Sequence, residues 1–279
     1  MSKFQAFQDL VRNRSAAVGM LLTAMILLVA IVGPGLAPYD PNVPMPLDRL
    51  QGPSAAHYFG TDSLGRDIFS RVIYGARISV MIGLISVAIS LVPGTLLGLM
   101  SGYFGGWMDS LIMRLMDMLL AFPAILLAIF ITAILGPSLP NTMIAVGIVY
   151  IPHYARIVRS SVLSLREQLY VQAISHLGGS HGRILFRHIL PNALPPIIVY
   201  ATLGMGTAVL QAAALGFLGL GAQPPQPEWG AMLSEGRQYI QLAPHVAAFP
   251  GAAILLLVLG FTLFGDGLRD VLDPSLRSQ

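Results

Sequence analysis

Few residues in this chain could do chemistry, and their spacing rules out more reactions than it supports. Gly178-Gly179-Ser180-His181-Gly182 fits the G-x-S-x-G pattern of a nucleophilic serine. Such a serine needs a sharp strand-to-helix turn over a core sheet, whereas this one lies in a polar stretch between long apolar runs, so acyl transfer is not supported. Tyr39-Asp40 and Gly265-Asp266 resemble the halves of an intramembrane aspartyl site, whose carboxyls must touch to share a proton. The topology read below puts them on opposite sides of a bilayer. A P-loop needs a lysine at the nucleotide phosphates, and Lys3 is the single lysine of the chain. None of the 6 histidines lies in an H-E-x-x-H pattern, and there are 0 cysteines, which removes thiolate metal sites, iron–sulfur clusters and thiol nucleophiles. No catalytic residue, metal site or bound cofactor is expected.

The elements that must position the remaining polar groups are membrane helices. Of 279 residues, 55% are hydrophobic and only 10% charged, against about 25% charged in an ordinary soluble domain; the mean hydropathy is +0.72. So few charges cannot cover a water-soluble globule of this size. About 20 apolar residues cross a bilayer core of roughly 30 Å, and six such stretches stand out: 16–37, 78–100, 110–135, 141–160, 194–220 and 246–265. The first follows Lys3, Arg12 and Arg14 as a signal peptide would, but its apolar run exceeds the roughly 7–15 residues of a signal core. It is read as a retained span. The fold class expected is an all-α polytopic membrane protein with six transmembrane helices.

With the N-terminus inside, eleven of the 16 Lys and Arg face the cytoplasm, while Arg49, Arg66, Arg71, Arg77 and Arg237 fall outside. Arg156, Arg159, Arg166, Arg183 and Arg187 stand against one acid, Glu167, in a single inner segment. This asymmetry predicts that both termini are cytoplasmic. The organisation expected is a cytoplasmic tail 1–15, a first span 16–37, an outer loop 38–76, a core 77–266 holding five helices, and a cytoplasmic tail 267–279. Within the core lie a cytoplasmic loop 161–191 and an outer loop 221–245. Pro38, Pro41, Pro44, Pro46 and Pro53 keep the first outer loop irregular, and residues 63–77 read as a short helix approaching the membrane.

Strongly polar groups inside the spans are Arg114, Asp117 and His153. Arg114 and Asp117, three residues apart, share a helix face, so the spacing predicts a pair that anchors the helix near headgroup depth. His153 has no carboxylate or histidine at helical spacing with which to relay protons. Gly94, Gly98 and Gly102, and Ala212 with Gly216, recur at the spacing that lets helix backbones approach.

The inner loop is the most informative stretch. Leu169, Gln172, Ala173, His176 and Leu177 follow helical spacing on one face, and Gly178-Gly179 ends that helix. A second short helix is expected before Pro191. A mixed apolar and polar knob beside the membrane suits docking into a groove of another protein.

Here the residues resemble a known family. Tyr170-Val-Gln-Ala-Ile-Ser-His-Leu-Gly178, followed by Arg187-His-Ile-Leu-Pro191, is similar to the EAA loop of binding-protein-dependent ABC importer permeases. The likeness extends through Phe59-Gly-Thr-Asp-Ser-Leu-Gly-Arg-Asp67, Ile112-Met-Arg-Leu-Met-Asp117, Gly216-Phe-Leu-Gly-Leu-Gly-Ala-Gln-Pro-Pro225, Pro227-Glu-Trp-Gly230 and Phe264-Gly-Asp-Gly-Leu-Arg-Asp270. It points to the second, C-type permease of the dipeptide, oligopeptide, glutathione and nickel branch, nearest its dipeptide and glutathione members. At the loop's signature Gln172 stands for the family's Glu and Ile174 for its second Ala.

The resemblance implies a type I importer fold in a bacterial inner membrane. It also implies a homologous second permease, two cytoplasmic ATPases that bind ATP and magnesium, and an extracytoplasmic peptide-binding protein. Residues Gln172, Ala173, Ile174, Ser175, His176, Leu177, Gly178, Gly179 and Ser180 would then couple to the ATPases. Asp62, Arg66, Asp67, Glu228 and Trp229 would either meet the binding protein or stabilise the outer loops. A nickel or other small-solute importer is the nearest alternative. A stand-alone secondary transporter would need ion-coupling carboxylates within its spans, where Asp117 is the one candidate.

Overall fold

The computed structural model describes Leu10 and residues 13–272. Lys3, Arg12, Arg277 and most of the expected tails 1–15 and 267–279 lie outside the described residues. Helix α1, Arg14–Val32, begins where the Asn13 side-chain oxygen accepts from the Ser15 and Ala16 N–H groups at 3.1 and 3.3 Å, satisfying donors that the first turn leaves free. Helix α2, Ile68–Phe104, is capped by Asp67 and runs for 37 residues, about 55 Å at 1.5 Å per residue. That exceeds a bilayer core. The separate short helix expected over 63–77 is instead the projecting start of α2, since nothing after the Asp67 cap interrupts it.

The third expected span, 110–135, is broken. Helices α3, Gly106–Leu120, and α4, Ala124–Leu135, meet at 89°. Pro123 supplies no N–H and disfavours helical geometry at Phe122 before it. Helix α5 is Leu139–Arg166 and α6 is Leu169–His176. Helix α7, His181–Phe217, is continuous. The second short helix expected before Pro191 is instead the start of α7, because Ile184–Ile189 is wound as a π-helix, and the Leu190 N–H reaches back to Leu185. This wider turn absorbs a proline that would disrupt a regular helix. Helix α8, Trp229–Gly236, and α9, His245–Leu272, complete the chain.

Among the described residues, α1 with its 3-10 extension, α2, α7 and α9 are long and apolar enough to cross a membrane, and the bent α3–α4 pair makes five if it is one broken span. The sixth expected span, 141–160, lies in α5. That helix is long enough, but polar and basic residues from Asn141 to Arg166 dilute its apolar run, and it is not among the helices that pass on composition. Among the described residues there is no strand, only an isolated antiparallel bridge between Thr61 and Asp67.

Glycine spacing sets the contact between α2 and α5. A Cβ at Gly94 would lie 2.6 Å from Tyr154 Cβ, at Gly98 2.5 Å from the Ala155 carbonyl oxygen, and at Gly102 2.8 Å from Val162 Cβ. Three successive turns of α2 therefore sit backbone-close on α5, as apolar helices require when lipid competes for their side chains. Helices α1 and α9 meet in the same way at Gly19, Gly260 and Gly267. Ala212 of the other expected small pair is buried against the core, whereas Gly216 makes room for the Glu228 carboxylate. Replacing Gly98 with valine should separate α2 from α5 and cost about 1–3 kcal/mol or more. Gly35→Val, where a Cβ would meet nothing within 4 Å, should leave the detergent melting temperature unchanged.

Candidate functional site

Helix α6 stands on the bundle by one face. Val171 is buried and Ile174 packs beside it, in a cluster with Leu99 of α2, Val158 and Val162 of α5, and Ile184, Leu185 and Ile189 of α7. The opposite face is exposed and carries the expected residues: Leu169 at 83%, Leu177 at 87%, with Gln172, Ala173 and His176 between them. Leaving two leucines in water is costly unless another surface covers them.

The helix ends in a Schellman turn, with the Gly179 N–H on the Ile174 carbonyl at 3.0 Å and the Gly178 N–H on that of Ser175 at 3.1 Å. Gly178 takes φ +79°, which only glycine adopts without strain, and a Cβ at Gly179 would lie 2.8 Å from Ile174 Cγ2. Ser180 is exposed and precedes α7. Gln172, in the position of the family glutamate, donates from Nε2 to the Glu167 carbonyl at 3.2 Å. Beside α6 a cleft of about 480 Å³ is lined by Arg166, Gln172, His176 and His181, among others. Its far wall is fixed by Tyr103, whose hydroxyl lies 2.9 Å from His181 Nδ1, and by Arg166 donating to the Gly102 carbonyl at 3.0 Å.

At the end of the bundle opposite α6, in the loops expected outside, the acid and base residues are interior. Asp62, Arg66, Asp67, Glu228 and Trp229 are all buried. Arg66 Nε donates to Asp62 Oδ2 at 2.7 Å and its Nη2 to Glu235 of α8 at 2.8 Å. Arg71 lies 3.5 Å from Asp62 and 3.7 Å from Glu235, and donates to the Pro41 carbonyl at 2.9 Å. Asp67 accepts from the Ser70 N–H and hydroxyl, both at 2.7 Å, and meets His57 Nδ1 at 2.9 Å. Gly65, at φ +79°, closes the turn so tightly that a Cβ would lie 1.8 Å from the Met45 carbonyl oxygen. Glu228 caps α8 by accepting from the Gly230 and Ala231 N–H groups at 2.8 Å, and Trp229 Nε1 donates to the Val72 carbonyl at 3.0 Å. Phe59 stacks on Phe249 of α9 with ring centroids 3.9 Å apart. The outer loops thus form one cap over α2, α8 and α9.

Residues 94–278 match the family of binding-protein-dependent transport system inner membrane components, and residues 4–53 match the N-terminal transmembrane domain of oligopeptide transport permease C. The chain belongs to this permease family. It is 56% identical to the dipeptide transport system permease protein of Alkalihalophilus pseudofirmus, over 98% of this chain and 90% of that one. The glutathione transport system permease protein of Pectobacterium atrosepticum is 49% identical over 96% of this chain and 89% of its own length. Among solved structures, an inward-facing MetNI methionine ABC transporter superposes with TM-score 0.57 at 21% identity, covering 72% of this chain and 95% of that chain; it shares the type I importer fold.

In this permease the expected Arg114–Asp117 pair does not form. Asp117 accepts from Arg156 of α5 at 2.6 Å instead, because the long arginine on the facing helix reaches the carboxylate directly. Arg159 holds Asp109 through two bonds of 2.6 Å, and Ser101 donates to the same carboxylate. Three of the five inner arginines therefore meet acids, since Arg166 pairs with Glu167 at 3.2 Å. His153 lies beside Tyr150, ring to ring at 5.5 Å, and no carboxylate approaches it. The five outer residues expected as one option to meet the binding protein have no accessible face for it. Sequence reasoning missed Arg71, Glu235 and His57 as parts of that cap. The clustering of Asp62, Arg66, Asp67 and Arg71 at helical spacing was the available signal.

Two stability measurements follow from the cap. Arg66→Met removes the nearer of two shared cations and leaves Asp62 and Glu235 to Arg71 alone, at 3.5 and 3.7 Å, and should destabilise the permease by about 2–4 kcal/mol, whether or not binding protein is present. Burial pushes the Glu228 carboxyl up, and its backbone hydrogen bonds offset this only partly. The folded state then binds this proton more tightly than the unfolded chain. Its contribution to stability is therefore full below the ordinary carboxylate range and declines as pH rises through the raised value. Melting curves against pH should show this decline in the native permease and its absence in Glu228→Gln.

Proposed function

We propose that this chain is the permease subunit through which an ATP-driven importer carries di- and oligopeptides, short thiol peptides of the glutathione type among them. The peptide assignment is supported by the dipeptide and glutathione relatives over nearly the whole chain. The coupling assignment is carried by one observation: α6 is rooted in α2, α5 and α7 by Val171 and Ile174, and turns Leu169 and Leu177 outward.

A chain with no phosphate-binding lysine receives the energy of ATP through contact. Two cytoplasmic ATPases, holding ATP and magnesium, grip the face from Gln172 to Ser180. A homologous second permease completes the membrane path, and an extracytoplasmic binding protein delivers the peptide to the outer side. Six helices cross the inner membrane, α5 among them, with both termini and α6 in the cytoplasm. Closure of the ATPases pushes α6, and the cluster beneath it passes the displacement to three helices at once. The path then opens alternately outward and inward, with the peptide shielded between the permeases.

Replacing Gly178 with valine strains a residue held at positive φ, an effect of order 1–3 kcal/mol, and breaks the turn that ends the coupling face. Peptide uptake should be lost and ATP hydrolysis should no longer respond to loaded binding protein, while membrane insertion persists. Normal uptake by Gly178→Val would overturn the coupling role.

A further inference from the structure

Helices α2, α5 and α7 enclose a cavity of about 90 Å³. It lies at mid-height in all three, among residues 86–90, 146–154 and 200–208. Its wall carries no charge and six hydroxyls, those of Ser86, Ser90, Tyr150, Tyr154, Tyr200 and Thr207. Ser86 already donates to the Met143 carbonyl at 3.1 Å, and Ser90 reaches the carbonyls of Ser86 and Val87 at 3.0 Å. Tyr154 differs. It is 1% exposed, and its hydroxyl makes no hydrogen bond of good geometry among the described residues, although the Ser90 hydroxyl lies close enough to interact with it. The ring is held edge-on by Tyr200, with centroids 5.1 Å apart. Gly204 keeps the space before the hydroxyl open, since a Cβ there would lie 2.6 Å from Tyr154 Oη.

Buried donors in folded proteins are nearly always paired, and dry cavities are lined by apolar side chains. This cavity presents a buried donor and a hydroxyl wall to whatever enters. It is also reachable. Tyr200 and Leu203 are shared with a hollow of about 480 Å³ that extends to Arg269 and Leu272 at the end of α9, and Thr207 is exposed. The voids line one side of α7.

We propose that this pocket is a transit site for the carried peptide, where the Tyr154 hydroxyl donates to an oxygen of a small uncharged side chain. The inference rests on the peptide reading given above. A hydroxyl wall without charge accepts small polar groups of many sequences, while a charged side chain would enter without a counter-charge and is disfavoured there. Tyr154 then discriminates among peptides after the binding protein has released them.

Transit is separated from capture by reconstituting the complete importer in vesicles and measuring turnover at saturating, peptide-loaded binding protein. Tyr154→Phe keeps the ring and its packing. It should slow alanyl-serine about fivefold relative to alanyl-alanine, the worth of one hydrogen bond, with the half-saturating concentration of loaded binding protein unchanged. Gly204→Ala, which fills the pocket, should slow both peptides. An unchanged alanyl-serine to alanyl-alanine ratio in Tyr154→Phe, or normal turnover of both peptides in Gly204→Ala, overturns the transit site and leaves a hydrated packing void. No uptake of either peptide by the native importer would overturn the peptide reading itself.

Discussion

The seam between α2 and α5 is the contact on which the rest of the bundle depends. In lipid, burying a leucine against a neighbouring helix gains little, because acyl chains solvate it equally well; helices associate where their backbones can come close. Gly94, Gly98 and Gly102 provide that approach, each on a successive turn. The seam also joins the two ends of the proposed mechanism. Gly94 sits on Tyr154, whose hydroxyl faces the central cavity, while Gly102 sits on Val162, part of the cluster that roots α6. A displacement of α6 therefore reaches the cavity wall through one rigid helix pair.

Electrostatics fixes the two ends of that pair. Outside, Arg66 and Arg71 gather Asp62 and Glu235 into a buried cluster that clamps the start of α2 to α8. A buried charge group is costly unless each member finds a partner, so the cap forms only when both outer loops are in place. At the α6 end, Arg159 and Ser101 converge on Asp109, and Arg166 reaches the Gly102 carbonyl near the end of α2. These bonds hold α3 at an angle to the bundle while α4 turns back by 89°.

The legible parts of the structure were those encoded by local spacing. The exposed face of α6 follows from apolar and polar residues at three- and four-residue intervals, and its end from Gly178, which no other residue replaces without strain. The glycines of α2 were visible for the same reason. What could not be read depended on partners distant in the chain. Asp117 is three residues from Arg114, yet a residue 39 positions away holds it. Glu235 is 169 residues from Arg66, and charges in a proline-rich loop read as surface until the fold closes over them. The continuity of α7 was hidden differently: Pro191 signals a break in a regular helix, and a π-helical turn removes the conflict without leaving a sequence mark.

The arginines of the inner segment illustrate how one feature serves two constraints. Their excess over acids is the signal from which orientation is expected, since charge near the membrane biases a chain during insertion. Once folded, Arg156, Arg159 and Arg166 are held by Asp117, Asp109 and Glu167, while Arg183 and Arg187 remain exposed on the first turns of α7 beside α6. The segment that sorts the chain thus divides after folding. Arg156 and Arg159 become ion pairs that lock α3 to α5, and Arg183 and Arg187 leave positive charge next to the exposed face of α6. In the coupling proposed above, a partner ATPase approaching α6 would meet two exposed leucines flanked by cations. An apolar groove with an acidic rim is the surface that would complement this face, because that combination covers the leucines without stranding the arginine charges.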